Sequence, residues 1–392
     1  MVSKPYGTLV GVRPGKLVDQ LLEYGLSPDE IVHRLELERK VRRDRAELLT
    51  RVSLNQRQIT LPLSGRRELA ALYISVPFCP SRCAYCSFAS HSLSQYGERE
   101  REAYFSGLLR EIEFLRQQAL RYGITFASVY IGGGTPTTLS APQLSQLSWV
   151  IRDLPWWEGK REITLEAGRP DTITEEKLAP FAPDARLCIN PQTMHDETLA
   201  AIGRGHSVAQ IAESFALARQ LGYHDINADL IVGLPGETVT HIAESLQGTL
   251  AHNPEGVTLH MFSPKRASAY SKDGGWVPMG SADAMDASNI AHAMLTAVGM
   301  QPYYLYRQRG ILGGLENIGF ALPGHHSLYN ISVINEQRLV LGAGAGASSK
   351  FVTAATPWDH QTNPKDAKVY LRRLPELMMA KQSLLDKWRN EL

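Results

Sequence analysis

Between residues 67 and 262, short apolar runs alternate with longer segments whose apolar side chains recur at helical spacing. The runs Ala71–Val76, Ser128–Ile131, Glu162–Leu165, Leu187–Ile189, Ile226–Val232 and Gly256–Met261 predict strands. Glu98–Tyr122, Ala141–Arg152, Glu175–Phe181, Val208–Leu221 and Val239–Ala251 predict the helices between them. Strands alternating with helices imply parallel βαβ units. Six such units predict an α/β fold, either a partial barrel with active residues at the C-terminal ends of its strands or an open doubly wound sheet. Periodicity alone does not separate the two.

The flanks differ. Residues 1–66 predict a helical region: Leu17, Leu21, Leu22, Tyr24 and Leu26 precede Ser27-Pro28-Asp29-Glu30, a helix start with proline in the first turn. The stretch Ile31 to Val52 that follows is dense in arginine and glutamate. Its run Arg39-Lys40-Val41-Arg42-Arg43-Asp44-Arg45 reads as a solvated helix face with acid–base pairs rather than a polyanion site. After residue 263 the alternation is lost: Lys272-Asp273-Gly274-Gly275-Trp276 predicts a loop, and Ser281–Ala297 and Asp366–Trp388 predict helices. Three regions are therefore expected: a helical 1–66, an α/β core 67–262, and a C-terminal accessory region 263–392.

Composition narrows the class. The chain of 392 residues is 43% hydrophobic and 21% charged, with a formal net charge of +1. That balance provides no electrostatic drive toward nucleic acid or an acidic membrane. The first residues hold no apolar run resembling a signal peptide, and no stretch approaches the roughly 18 apolar residues of a membrane span. A cytoplasmic location is expected. Four cysteines in a chain this long do not make a disulfide framework, and three of them fall in one short window, which points to a metal or cluster.

That window is Tyr73-Ile74-Ser75-Val76-Pro77-Phe78-Cys79-Pro80-Ser81-Arg82-Cys83-Ala84-Tyr85-Cys86-Ser87-Phe88. A strand breaks at Pro77, so the cysteines are expected on a loop at its C-terminal end. Three thiolates hold three irons of a cubane and leave the fourth open to a ligand. Structural zinc wants four protein ligands; Cys188 or His91 could complete such a set, but neither has a second closely spaced partner. The C-x3-C-x2-C spacing is the hallmark of radical S-adenosylmethionine enzymes, which this loop resembles closely.

Other constellations lie at strand ends. Gly132-Gly133-Gly134-Thr135-Pro136 follows the second strand and permits close backbone approach. Glu166 ends the third strand, Asn190-Pro191-Gln192 ends the fourth, and Arg204 is expected on the following helix. Asp229 lies inside an apolar run and needs a partner to offset its desolvation. Gly342-Ala343-Gly344-Ala345-Gly346-Ala347 matches a dinucleotide fingerprint in form, but no helix is expected to open there, so a tight turn against the core is the better reading. Cys188 reads as a packed thiol.

Together these motifs resemble the oxygen-independent coproporphyrinogen III dehydrogenase (oxidase) family, in its HemZ-type branch, over almost the whole chain. The resemblance also rests on Gly11-Val12-Arg13-Pro14-Gly15-Lys16, Glu166-Ala167-Gly168-Arg169-Pro170-Asp171-Thr172, Ile189-Asn190-Pro191-Gln192-Thr193-Met194, Asp229-Leu230-Ile231-Val232-Gly233-Leu234-Pro235-Gly236-Glu237, Lys265-Arg266-Ala267-Ser268, Pro302-Tyr303-Tyr304-Leu305-Tyr306-Arg307-Gln308 and Leu315-Glu316-Asn317-Ile318-Gly319. Relatives often carry extra residues ahead of the first of these. The resemblance implies a partial (β/α)6 TIM-like barrel with an N-terminal helical segment and a C-terminal accessory α+β domain. It also implies a [4Fe–4S] cluster on Cys79, Cys83 and Cys86, and S-adenosylmethionine against Tyr73, Tyr85, Gly133, Gly134, Thr135, Glu166, Gln192, Arg204 and Asp229. Some relatives bind a second S-adenosylmethionine.

The implied reaction is oxidative decarboxylation of coproporphyrinogen III propionates to vinyls, giving protoporphyrinogen IX in haem biosynthesis. A low-potential flavodoxin- or ferredoxin-like protein would supply electrons. Lys265, Arg266, Arg307 and Arg309 are candidate anchors for substrate carboxylates, and Tyr303, Tyr304 and Tyr306 could flank a flat macrocycle. Two positions depart from the best-understood branch, which has histidine at Ser75 and cysteine at Phe88. Two other functions are compatible with the scaffold. A haem chaperone would use His325-His326, although Tyr329-Asn330-Ile331-Ser332-Val333-Ile334 lacks the histidine and tryptophan those relatives share at this stretch. A radical methyltransferase or cyclopropanase would consume a second S-adenosylmethionine.

Overall fold

The computed structural model describes residues 4–86, 90–159, 161–263, 279–352 and 359–391. Helices α1 (Gly15–Glu23), α2 (Pro28–Arg39) and α3 (Arg43–Thr60) precede the sheet. The core strands are β1 (Leu69–Val76), β4 (Thr125–Gly133), β5 (Glu162–Glu166), β6 (Arg186–Gln192), β7 (Ile226–Val232) and β8 (Gly256–Met261); the two-residue strands β2 (Phe78–Cys79) and β3 (His91–Ser92) pair beside them. Between the core strands run α4 (Glu98–Tyr122), α5 (Ala141–Arg152), α6 (Glu175–Leu178), α7 (Asp196–Ala201), α8 (Val208–Gln220) and α9 (Val239–Leu250).

The six core strands are mutually parallel in the order β1-β4-β5-β6-β7-β8. A doubly wound sheet reverses its order at a switch point; this one never does. It is a partial barrel of six β/α units. Strands buried on both faces read as continuous apolar runs, which is why β7 and β8 coincide residue for residue with the sequence expectation. Side chains of strands that are not neighbours meet inside the curve: besides burial, the Asp229 carboxylate of β7 acts on Glu166 of β5 and Tyr130 of β4, raising both.

Residues after 262 complete the same sheet at both edges. After α10 (Ser281–Ala297), β9 (Gln301–Tyr306) pairs with β10 (Asn317–Ala321), which runs antiparallel to β8. On the other side β11 (Leu339–Ala343) lies parallel to β1, from Ala70↔Leu339 to Ile74↔Ala343, followed by β12 (Ser348–Phe351) and β13 (Asp359–Thr362). An uncovered edge strand would present unpaired backbone groups. The Gly342–Ala347 segment is the expected tight turn: Gly344 has φ 94°, and a Cβ there would stand 2.4 Å from the Ser75 carbonyl oxygen.

Between the edges, α11 (Leu328–Asn335) closes the N-terminal end of the barrel. Glu162, the first residue of β5, accepts from the Ser327 hydroxyl at 3.1 Å and the Tyr329 amide at 3.0 Å. At the other end of α11, Glu336 pairs with Arg13, Lys16 and Lys350. The Tyr329 ring stacks on Tyr73 and Tyr130, with centroids 6.0 and 4.7 Å away.

The N-terminal helices pack Val18, Ile31, Leu35, Leu49 and Val52 against Leu259, Leu295, Leu305 and Phe320 of the barrel side. Ser27 and Glu30 form the capping box of α2. The charge run departs from the solvated face expected of it. Lys40 takes a left-handed φ of 56° and divides α2 from α3, and Arg45 is buried. Its guanidinium donates to Asn289 Oδ1 at 3.0 Å and pairs with Glu316 at 3.4 Å. Glu316 lies far away in sequence, so no local spacing announced the pair. Arg34–Glu38 and Arg43–Glu47 are the expected exposed helical pairs. α12 (Ala367–Asn390) lies on α4, where its buried Lys381 pairs with Glu111. None of the helices among the described residues is long and apolar enough to cross a membrane.

Candidate functional site

The cysteine loop leaves β1 at Pro77, at the C-terminal end of the barrel. Pairing of Phe78 with His91 and Cys79 with Ser92 ties the loop's two ends together. The Cys86 amide donates to the Cys83 carbonyl at 3.1 Å, and the Ala84 amide to Ile202 at 3.0 Å, so the middle of the loop is held against the turn after α7. None of the four cysteines is in a disulfide; Cys83 is buried, whereas Cys79 and Cys86 are half-buried. Cys188 lies in β6, opposite Glu166 in register, as the packed thiol expected. Burial pushes its thiol up.

The glycines after β4 act by close approach. Gly133 has φ 108°, and a Cβ on Gly134 would stand 2.5 Å from the Phe78 carbonyl oxygen. The Gly134 and Thr135 amides donate to Val76 and Phe78 at 2.7 Å each, and the Thr135 hydroxyl reaches Cys79 Sγ at 3.5 Å. Arg204 corrects one expectation: it lies in the connection between α7 and α8 rather than on a helix. There it donates to the Gly168 carbonyl at 2.7 Å, to the Asn190 carbonyl, to the Tyr85 hydroxyl at 3.4 Å and to Cys83 Sγ at 3.9 Å. Burial raises the Tyr85 phenol, while Arg204 opposes the rise.

A second group faces the barrel interior. Glu166 accepts from the Tyr130 hydroxyl and from Asn190 Nδ2 at 2.7 Å. Burial raises its carboxyl, and the nearby Asp229 raises it further. Asp229 has the partners its desolvation required: Asn227 Nδ2 at 2.7 Å and His260 Nε2 at 3.4 Å. Gln192 ends β6 with a left-handed φ of 69°, past a register shift at Asn190-Pro191. Tyr73 lies beneath, its phenol raised by burial and then by Glu166. Arg204, bonded to both Cys83 and Asn190, joins this group to the cysteine loop.

The arrangement suits a polar cofactor bound between the two groups. Asn190 Oδ1, Gln192 Oε1 and Arg204 Nε are buried with no partner among the described residues, and such atoms call for a ligand or water. Among the described residues no three His, Cys, Asp or Glu side chains are gathered tightly enough for a single metal ion; thiolates around a cubane stand farther apart than those around one ion.

Several expected participants lie elsewhere. Arg307 is committed to the N-terminal region, donating to Leu9 at 2.9 Å and Gly314 at 3.0 Å while lying over the Tyr6 ring, so it is no free substrate anchor. Arg309 is exposed, and Lys265, Arg266, Phe88 and the 272–276 loop lie outside the described residues. Ser75 donates to the Ala345 carbonyl at 2.7 Å. Tyr303 and Tyr304 are buried, their rings 4.9 Å apart because a bulge in the β9–β10 pairing turns both to one side; Tyr306 is half-buried. His325 and His326 lie at the opposite end of the barrel from the cysteines, near Asp225 and Tyr303. Sequence reasoning missed Tyr130, Arg169, His260 and Tyr329. Tyr130 was readable from its strand position, the others only from tertiary contact.

Comparison with known proteins agrees with this geometry. The radical SAM superfamily matches over residues 73–247. The chain is 38% identical to the oxygen-independent coproporphyrinogen-III oxidase-like protein HemZ of Bacillus subtilis (strain 168), over 95% of this chain and 75% of that protein. It is 29% identical to the haem chaperone HemW of Escherichia coli (strain K12), over 71% and 70% of the two chains. Among solved structures, coproporphyrinogen III oxidase (HemN) from Escherichia coli, a radical SAM enzyme, superposes with a TM-score of 0.61 at 22% identity, covering 82% of this chain and 73% of its own. The superfamily works with a [4Fe–4S] cluster and S-adenosylmethionine. The chain belongs to the radical SAM superfamily, in the HemZ-like group of oxygen-independent coproporphyrinogen III oxidase relatives.

Proposed function

We propose that this protein carries out oxygen-independent oxidative decarboxylation of coproporphyrinogen III propionates to vinyl groups. Cys79, Cys83 and Cys86 would hold the cluster, and Tyr73, Tyr85, Gly133, Gly134, Thr135, Glu166, Gln192, Arg204 and Asp229 would contact S-adenosylmethionine. The observation that carries the cofactor part of the reading is the junction between the cysteine loop and the barrel interior, where Asn190, Gln192 and Arg204 each leave a buried polar atom unpaired; the choice of substrate follows the similarity to the coproporphyrinogen-III oxidase-like protein of Bacillus subtilis. When bound, the reduced cluster and S-adenosylmethionine supply a 5′-deoxyadenosyl radical able to take a hydrogen atom.

The chain's own part is binding and orientation. Glu166, fixed by Tyr130 and Asn190, offers a carboxylate to ribose hydroxyls or an amine. Gly133 and Gly134 bring the end of β4 against the loop. The Tyr73, Tyr130 and Tyr329 rings stack on one another beneath this polar group. Each propionate loses one β-hydrogen atom, carbon dioxide and one electron, so a one-electron acceptor is required. Lys265 and Arg266 remain the proposed carboxylate anchors, and a low-potential flavodoxin- or ferredoxin-like protein the proposed reductant, in the cytoplasm.

Anaerobic incubation of the loaded protein with reductant, S-adenosylmethionine and coproporphyrinogen III is expected to yield protoporphyrinogen IX. Cofactor cleavage that leaves this substrate intact would refute the porphyrin assignment alone. A second reading, haem binding, is favoured by the similarity to haem chaperones. A stoichiometric Soret complex with no product would select it.

A further inference from the structure

Two guanidinium groups converge on one of the three loop sulfurs. Arg169 is 3% exposed and donates from Nη1 to Cys83 Sγ at 3.8 Å, and Arg204 donates to the same sulfur at 3.9 Å. Arg169 is fixed from two sides. It donates to the Ser81 carbonyl and the Ser81 hydroxyl at 3.2 Å each, and its Nε and Nη2 meet the Asp171 carboxylate at 2.9 Å each. His206 Nδ1 stands 3.7 Å from the same carboxylate. Cys79, by contrast, receives the neutral hydroxyl of Thr135.

We propose that Arg169, acting with Arg204 through Cys83, is a positioning residue that raises the reduction potential of the iron–sulfur cluster, and that Asp171 sets how far. The proposal rests on the assignment of Cys83 as a cluster ligand. Reduction adds negative charge to the cluster and its sulfurs. Hydrogen bonds and positive charge at a ligating sulfur stabilise that state, and they are recognised levers on cluster potentials. Arg169 is one residue type and one position that nothing in the loop itself specifies; it stands in extended backbone just before the short turn Pro170–Thr172, held there by Ser81 and Asp171. The Asp171 carboxylate, bidentate on Arg169, offsets part of its charge.

The test is a potentiometric titration of the full, anaerobically loaded chain without S-adenosylmethionine, followed by electron paramagnetic resonance. Arg169→Gln is expected to leave about tenfold less reduced cluster at a fixed potential, a downward displacement of roughly 59 mV for a one-electron couple. Asp171→Asn is expected to move the potential upward, because Arg169 keeps its Ser81 anchors while losing its counter-charge. A merely structural role for the pair would displace both variants in the same direction, and unchanged potentials in both would equally overturn the proposal. If Arg169→Gln assembles no cluster, Asp171→Asn decides alone: an upward displacement supports the proposal, and none or a downward one refutes it. Cys83→Ala separates the two levels, since a full cluster in that variant removes the ligand assignment itself.

Discussion

Gln192 holds a left-handed backbone and a buried side-chain oxygen, Oε1, without a partner among the described residues. A non-glycine residue in that region costs of order 1–3 kcal/mol and persists where the surroundings enforce it, often at a functional site. Glu166 faces a different problem: its carboxyl is raised by burial and by Asp229, yet two donors hold it ready to accept more. S-adenosylmethionine binding should therefore strengthen as pH rises through the ionisation of Glu166. Asp229→Asn removes the repelling charge and should move that dependence to lower pH. Glu166→Gln should abolish it and weaken binding about 10–100-fold, the loss expected for a charged hydrogen bond of roughly 1.5–3 kcal/mol. Equilibrium binding across pH checks this, and an unchanged profile in Glu166→Gln would remove Glu166 from the site. The placement of the three cysteines on a loop and of Glu166 at a strand end was readable because loop spacing and strand ends are local. Arg169 was not, since its meaning comes from Cys83, a neighbour only in space.

At the scale of elements, long periodic helices and doubly buried parallel strands announced themselves. β9 and β10 did not: β10 spans Asn317–Ala321, entirely buried, and so short a run carries neither alternation nor helical period. β9 adds a proline and a bulge at its tyrosines. The Arg45–Glu316 pair binds α3 to this antiparallel edge, and α10 packs over it with His292, whose ring lies 5.2 Å from Phe320. Burial, then Arg45, lowers His292 to about 3; Glu316 stands 3.9 Å away but is already engaged by Arg45 and Tyr6, so burial prevails. A histidine depressed in the folded state binds its proton only on unfolding. Stability is unaffected above the unfolded value near 6.5 and is lost as pH falls from there toward 3. Between pH 6.5 and 5 the loss is about 2 kcal/mol at most. His292→Gln should flatten this part of the thermal stability profile; an equally steep acid limb would show that His292 does not titrate on unfolding.

Across the whole molecule, one sheet draws strands from residues 69 to 362, so the last third of the chain borders the first strand. The expected division at 66 and 262 follows changes in sequence pattern, and we retain it as a proposal. β11 lies along β1 and its turn receives the Ser75 hydroxyl, while Glu111 accepts from the Gly344 amide at 2.7 Å and pairs with Lys381. The strand that delivers the cysteine loop is thereby clamped by the C-terminal helix. At the other end, α11 is held by Glu162 and Glu336. Such long-range closure is invisible to local pattern. What it serves is one corner of the barrel, where three thiols meet a polar interior.

Electron paramagnetic resonance of the reduced, anaerobically loaded chain, recorded before and after adding S-adenosylmethionine, interrogates that corner. We expect a [4Fe–4S] signal whose g values move when S-adenosylmethionine occupies the iron that Cys79, Cys83 and Cys86 leave open, and no such signal when any one of the three is alanine. A spectrum indifferent to S-adenosylmethionine, or protein purified with tetrahedral zinc on four side chains, would contradict the account.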